Sequence, residues 1–313
     1  VAVVDDELLA VRVAELYYEE NKTQDEIGAL LGISRWKAGR LLTQARERGI
    51  VRIEIVHPRA RRLGLERELT QRFGLTAAVV VPVPDDSDSR GVVTQAAADF
   101  LAALRPVPKT LGVSWGRTLN DVAEKLPDGW ATGVTVVQIN GGVSLNRRAS
   151  TAATLAATIA DRGRGEVMLL PSPAILERRE TKEAVVSDRT IAGVLALAGS
   201  ADVYLFSAGV GDEHSALVES GYLRAEDVAE LARKGAIGDV LGRYIDANGN
   251  IVDPALNART VGVELDTLRA ADTAVFVVAG DDKHDIARAV VTNGLCSILI
   301  TDEGTARDLL EDE

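Results

Sequence analysis

With 313 residues, 46% apolar and 26% charged, the chain has the composition of a folded protein of two domains, or of one large and one small. Nothing in it approaches the roughly 18 uninterrupted apolar residues of a membrane span, its acidic start is unlike a basic secretory leader, and Cys296 is its single cysteine; a cytoplasmic protein with no disulfide and no membrane partner is expected. The net charge of −12 speaks against nucleic acid, yet residues 34–52 hold Arg35, Lys37, Arg40, Arg46, Arg48 and Arg52 against Glu47 alone, and a local basic face is a better guide than the total.

Leu8 to Tyr18 has the apolar spacing of a helix packed on one side. Thr23 stands three residues before Glu26, a capping-box spacing, and predicts a short helix Gln24–Leu31 buried through Ile27, Leu30 and Leu31. Gly32 supplies a turn. Ser34 caps a third helix from Arg35 to about Glu47, with Ala38, Leu41 and Leu42 inward. Two short helices about a glycine turn are the helix-turn-helix signature. In that motif the second helix enters the major groove. Its leading side chains here are Arg35, Trp36, Lys37 and, one turn on, Arg40, with Thr23, Gln24 and Ser34 placed for the backbone. Ile50 to Val56 alternates like a wing strand. A small all-α DNA-binding domain, residues 1–57, is expected. Arg59 to Arg72 reads as a charged connecting helix suited to a dimer contact, stopped by Gly74.

Residues 58–313 alternate apolar strands with helical stretches. The strands are Ala77–Val81, Thr110–Val113, Val134–Ile139, Val167–Leu170, Val203–Phe206, Ala274–Ala279 and Ser297–Thr301. Between them lie helical patterns such as Thr94–Leu104, Ala149–Ala160, Thr190–Ala198 and His284–Asn293. Continuous apolar runs suit strands buried on both faces, so an α/β domain with a mostly parallel sheet is predicted. Ligands collect at the carboxyl ends of such strands.

The most informative of those ends is Gly112-Val113-Ser114-Trp115-Gly116-Arg117-Thr118: strand, tight loop, helix start. Unpartnered N–H groups of a helix start bind anions, phosphate above all, and Ser114, Thr118 and Arg117 add hydroxyls and charge. The same letters spell the G-x-S-x-G elbow of serine hydrolases, but only His214 and His284 follow and no His-Gly-Gly segment precedes. Other strand ends give Asn140-Gly141-Gly142, Ser207-Ala208-Gly209 and Gly280-Asp281-Asp282-Lys283. Four such turns with Ser, Asn and Lys interleaved suggest one small-molecule pocket. Trp115 suits either stacking on a sugar or wedging the loop, and Asp239 either a ligand hydroxyl or the backbone of its own turn. Lys283 opens a helix, where a cation conflicts with the dipole unless a phosphate lies between. His57, His214, His284 and one cysteine make no zinc set, so no metal or cofactor is expected.

Gly209-Val210-Gly211-Asp212-Glu213-His214 resembles the loop of amino-sugar-phosphate isomerases and deaminases, where Asp212, Glu213 and His214 are placed for proton transfer. A DNA reader on the same chain favours that fold without its catalysis. The whole chain resembles the SorC/DeoR-type bacterial transcriptional regulators with a sugar-binding effector domain, through Gln24–Leu42, Gly112–Leu119, Gln138–Gly142, Gly238–Asp246, Asn257–Gly262, Ala279–Lys283 and Thr301–Glu303. The resemblance implies a Rossmann-like, isomerase/deaminase-type effector domain, a homo-oligomer (dimer or tetramer) on operator DNA, control by a phosphorylated sugar, and no catalytic residues. Two departures stand out. The family's Ala-Gly-Gly before the lysine is here Gly280-Asp281-Asp282. Deoxyribose-phosphate-responsive relatives carry a Schiff-base lysine where this chain has Asn140, which speaks against a covalent adduct.

Overall fold

Two capped helices define the N-terminal part. The Thr23 hydroxyl accepts from the Glu26 N–H at 3.3 Å while the Glu26 carboxylate accepts from the Thr23 N–H at 2.8 Å, which completes the capping box. Gly32 ends that helix with φ of 65°, a value glycine adopts at no steric cost. Ser34 Oγ then accepts from the Lys37 N–H at 3.1 Å and starts the next helix. The computed structural model describes residues 2–51, 61–84, 88–143, 152–212 and 215–311. Its first three helices are α1 (Ala2–Tyr18), α2 (Gln24–Leu31) and α3 (Arg35–Glu47). Val13, Leu16, Ile27, Ala38, Leu41, Leu42 and Ala45 form their shared core. Leu30 is not part of it. It is 61% exposed, because the turn that buries Ile27 points Leu30 to the side, and Leu31, one full turn on, packs instead. Most of the expected wing, 52–56, lies outside the described residues; Ile50 and Val51 pack on the helices.

The chain divides into two units, Val1–His57 and Pro58–Glu313. In the second, the expected helix from Arg59 begins only at Leu63: α4 spans Leu63–Phe73. Arg61 is drawn instead into a two-pronged ion pair with the buried Glu66 at 2.7 Å, and the Arg62 N–H donates to the Val80 carbonyl. Leu69 is buried in the core of its own unit.

Among the described residues, ten strands follow: β1 (Ala77–Val81), β2 (Thr110–Val113), β3 (Thr135–Gln138), β4 (Glu166–Met168), β5 (Val203–Phe206), β6 (Ala208–Val210), β7 (Gly238–Val240), β8 (Arg243–Ile245), β9 (Ala274–Val277) and β10 (Ile298–Asp302). Seven build a fully parallel sheet in the order β1-β10-β9-β5-β2-β3-β4. Side chains alternate between its two faces. Ala78, Val80, Tyr204, Phe206 and Phe276 enter one core; Val79, Val81, Leu111, Val203, Leu205 and Val275 enter the other. Burial on both sides is why these strands read as unbroken apolar runs.

The remaining strands, β6-β7-β8, form a separate antiparallel sheet that the periodicity did not reveal. β7 and β8 join through Leu241 (φ 55°) and Gly242 (φ 80°), the positive pair of a type I′ hairpin. Leucine is a poor advertisement for such a turn, but here it is buried and held by packing. The Arg243 guanidinium, itself fully buried, donates to the Glu264 carboxylate and to the Gly262 carbonyl, tying the hairpin to the loop after Asn257.

Candidate functional site: a polar cavity at the strand ends

In the sheet order the chain runs outward from β2 through β3 and β4 on one side and from β5 through β9 and β10 on the other. The crevice beside that reversal, at the carboxyl ends, is where doubly wound sheets bind ligands. A cavity of about 370 Å³ lies there. Ser114, Trp115, Gly116, Arg117 and Thr118 reach it from β2, Ser207, Ala208 and Gly209 from β5, Gly280, Asp282 and Lys283 from β9, and Asp239 from the hairpin. Val210, Ser215, Ala216, Leu241, Gly242 and Ala279 add to the wall, and so do Asp88, Ser89 and Arg90 at the start of the helix Ser89–Ala103. Sequence reasoning missed these three; the Asp88 cap, whose carboxylate accepts from the Arg90 N–H, was the signal available.

The cavity collects helix starts. Helix Ser89–Ala103, helix Arg117–Lys125 and helix His284–Thr292, the last through the turn Asp281–Lys283, all present their first residues to it. The positive ends of the dipoles favour an anion at each; the start of helix Arg117–Lys125 has no side-chain cap, whereas Asp88 already caps the first helix and the Asp281–Lys283 turn leads into the third. Arg90, Arg117 and Lys283 add positive charge, set against the carboxylates of Asp88, Asp239 and Asp282 in the same lining; Arg90 also pairs with Asp121 at 3.0 Å. Gly116 precedes the second helix with φ of 139°, a conformation that side-chain-bearing residues rarely adopt.

Lys283 Nζ donates to the Ala208 carbonyl at 2.6 Å. Burial holds its ammonium below the ordinary value; Asp282 and Asp239 oppose that shift. Asp239 is fully enclosed. Burial pushes its carboxyl up to about 6, against the Gly242 N–H, which donates to it at 2.9 Å, and the charge of Lys283. Gly209 must be glycine, because a Cβ there would lie 2.1 Å from Asp239 Oδ1. Asp302 holds the lysine loop from beneath, accepting from the Gly280 N–H at 3.0 Å and from Thr305.

Four expected contacts lie off the cavity wall. Gly112 is inside β2, where a Cβ would meet Ile139 at 2.7 Å. Gly141 packs on the 173–174 backbone, leaving 2.2 Å between a Cβ and the Pro173 carbonyl, and Gly142 bridges to Pro173. Asn140 is buried, bridges to Gly262, and has no hydrogen-bond partner for its side-chain amide. Trp115 wedges between the two loops: its Nε1–H donates to the Gly141 carbonyl at 2.8 Å. Glu213 and His214 lie outside the described residues. Among the described residues no His/Cys/Asp/Glu group is arranged to hold a metal, and no helix is long and apolar enough to cross a membrane. Cys296 is core, its thiol pushed up to about 12 by burial.

In the N-terminal unit, Arg35, Trp36 and Arg40 are exposed on α3 and Lys37 is half-buried. Arg35 lies 3.6 Å from Asp25. The Thr23 hydroxyl both accepts from Glu26 N–H and donates to its carboxylate, so its first role is the cap. Gln24 packs its amide beside Gly39, joining α2 to α3.

Comparison with known proteins gives one direction. Residues 57–311 match the Sugar-bind family, described as a sugar-binding domain. The deoxyribonucleoside regulator of Bacillus subtilis (strain 168) is 32% identical over 97% of both chains. The sorbitol operon regulator of Klebsiella pneumoniae is 30% identical over 98% of this chain and 99% of its own. The crystal structure of the full-length sorbitol operon regulator SorC from Klebsiella pneumoniae superposes with a TM-score of 0.71 at 29% identity, covering 98% of this chain and all of that one. Relatives named as regulators do not favour the isomerase reading or the hydrolase one.

Proposed function

Because the chain belongs to the SorC/DeoR-type transcriptional regulators with a sugar-binding domain, we propose that it is a cytoplasmic, operator-binding regulator of carbohydrate or nucleoside catabolism, controlled by a phosphorylated sugar held in the cavity at the strand ends. The observation that supports the phosphate is the uncapped start of helix Arg117–Lys125 beside Arg117 and the enclosed Lys283 on one cavity, whose carboxylates Asp88, Asp239 and Asp282 leave room for a hydroxyl-bearing ligand. A dianion there satisfies backbone N–H groups and cations together. In this reading Lys283, Arg117, Ser114, Thr118 and the Gly116 N–H hold the phosphate, and Asp239 accepts from sugar hydroxyls. Ser207, Ala208 and Gly209 line the floor. Gly112, Asn140, Gly141 and Gly142 support the wall from behind, with Trp115 as the link.

The DNA is taken by α3 through Arg35, Trp36, Lys37 and Arg40, with Thr23, Gln24 and Ser34 setting that helix on the backbone. The working form is a homo-oligomer, dimer or tetramer, matched to a two-fold operator. The test is a gel shift with DNA from upstream of the regulated genes, repeated with a panel of sugar phosphates and their unphosphorylated sugars, beside an isomerisation assay. A shift altered by a sugar phosphate and not by the free sugar is expected. Turnover at enzymatic rates without DNA binding overturns the proposal.

A further inference from the structure

Helix α3 carries a side chain that phosphate contacts do not require. Trp36, its second residue, is 87% exposed, more than any other large apolar side chain among the described residues. Ala38, Leu41, Leu42 and Ala45 turn to the core of the unit, while Trp36, Arg40 and Thr43 stand on the opposite, exposed side at intervals of four and three residues. Arg35 beside it is also exposed. The hydrogen bond from Lys37 N–H to Ser34 Oγ fixes the first turn, so the indole is mounted on a rigid base. An indole offers water one N–H and a broad apolar ring. Set among arginines, it faces a polyanion that must also present something apolar. At the base edges of the major groove that group is the 5-methyl of thymine.

Resting on the reading of α3 as the helix that enters the major groove, we infer that Trp36 is a specificity-determining residue, which packs its indole on a thymine methyl. Arg35 and Arg40 flank it and bring the helix to the duplex; Trp36 chooses the base. Its contribution is selective: it favours thymine over uracil at one position and leaves phosphate contacts unchanged.

The experiment uses the full-length chain. Duplexes are selected from a random-sequence library, and in the selected duplex each thymine is replaced singly by deoxyuridine, which removes the methyl alone. Burying one such carbon is worth about 0.8 kcal/mol, a fourfold change in affinity. The wild type is expected to lose about fourfold at one thymine of each site. Trp36→Ala, at an exposed position that does not threaten folding, is expected to bind the thymine and deoxyuridine duplexes alike there. Trp36→Phe, which keeps a ring without the N–H, is expected to retain the preference. Equal binding by the wild type at every position, or a preference that persists in Trp36→Ala, overturns the inference and leaves DNA binding intact. Loss of the preference in Trp36→Phe assigns the contact to the indole N–H and also overturns it. A changed oligomeric state in Trp36→Ala with thymine preference intact gives the face to a second copy of the chain and overturns the inference as well. Failure to enrich any duplex strikes the DNA-binding reading itself, and the inference with it.

Discussion

Asp239 and Lys283 share one enclosure, and each distorts the other's environment. The folded chain holds the Asp239 proton more tightly than the unfolded chain, with the carboxyl raised from 3.8 to about 6. The stability linked to that proton is therefore complete below about pH 4 and is lost as pH rises through 6. Asp239→Asn keeps an acceptor for the Gly242 N–H and removes the titration. Its stability relative to wild type should rise between pH 4 and 7, by up to about 3 kcal/mol, in denaturant melts at one-unit steps. Parallel curves would show that Asp239 is ionised throughout. Lys283 is expected to matter for ligand more than for fold. Lys283→Ala should bind operator normally but take up the phosphorylated sugar roughly 10–100-fold more weakly, since hydrogen bonds to charged groups contribute about 1.5–3 kcal/mol. Calorimetric titration decides, and equal affinities would remove the lysine from the site.

Among the elements, the glycine loop after β3 and the caps of the N-terminal helices are the most sharply determined. Gly141→Ala forces a methyl to 2.2 Å from the Pro173 carbonyl, a backbone atom that moves only with the segment that bridges to Gly142. A loss of roughly 1–3 kcal/mol or more is expected, as for an overpacked core. Gly142→Ala, whose nearest neighbour would be 3.6 Å away, should stay within about 0.5 kcal/mol of wild type. Thermal melts of the two variants side by side give the comparison, and equal losses would contradict the packing described. Ser34→Ala removes the acceptor for the Lys37 N–H and should cost about 1 kcal/mol, read from the denaturant midpoint of the N-terminal unit.

At the scale of the whole molecule, the proposed function has a ligand on one unit govern a partner of the other. If a sugar phosphate changes operator affinity by some factor, operator must change sugar-phosphate affinity by that same factor. Measuring both, by gel shift and by calorimetry, should give one coupling energy; a sugar phosphate that changes operator affinity without operator changing its affinity would mean that it does not act by binding this chain. Arg40→Ala and Lys37→Ala should weaken operator binding while leaving the sugar-phosphate isotherm unchanged. A lost base contact costs about 1–3 kcal/mol, whereas a lost phosphate contact weakens all sequences alike and lowers the salt slope by about one. Variants that bind operator and random DNA like wild type would displace α3 from the groove.

What the sequence alone determined is what short-range chemistry dictates. The capping pair Thr23–Glu26, the glycine turn and Ser34 named two helices and their order. Apolar runs named all seven strands of the parallel sheet, the inner ones because a strand buried on both faces has no polar side to show; β4, at the edge, exposes Glu166 and Met168. The strand-end loops Ser114–Thr118, Ser207–Gly209 and Gly280–Lys283 were legible as one pocket for the same reason: small residues and helix starts are local signals. Other features required the tertiary fold. The hairpin at Leu241-Gly242 was invisible because packing, not turn chemistry, holds a leucine at positive φ. Leu30 read as core but faces outward, since only the neighbouring helix decides which side of α2 is buried. Asp88–Arg90 joined the cavity, and Gly112 and Asn140–Gly142 left its wall, because close approach between segments distant in sequence, Gly141 to Pro173 and Gly262 to Asn140, is a property of the assembled chain. A residue's type limits what it can do, but its neighbours across the fold decide which of those things it does.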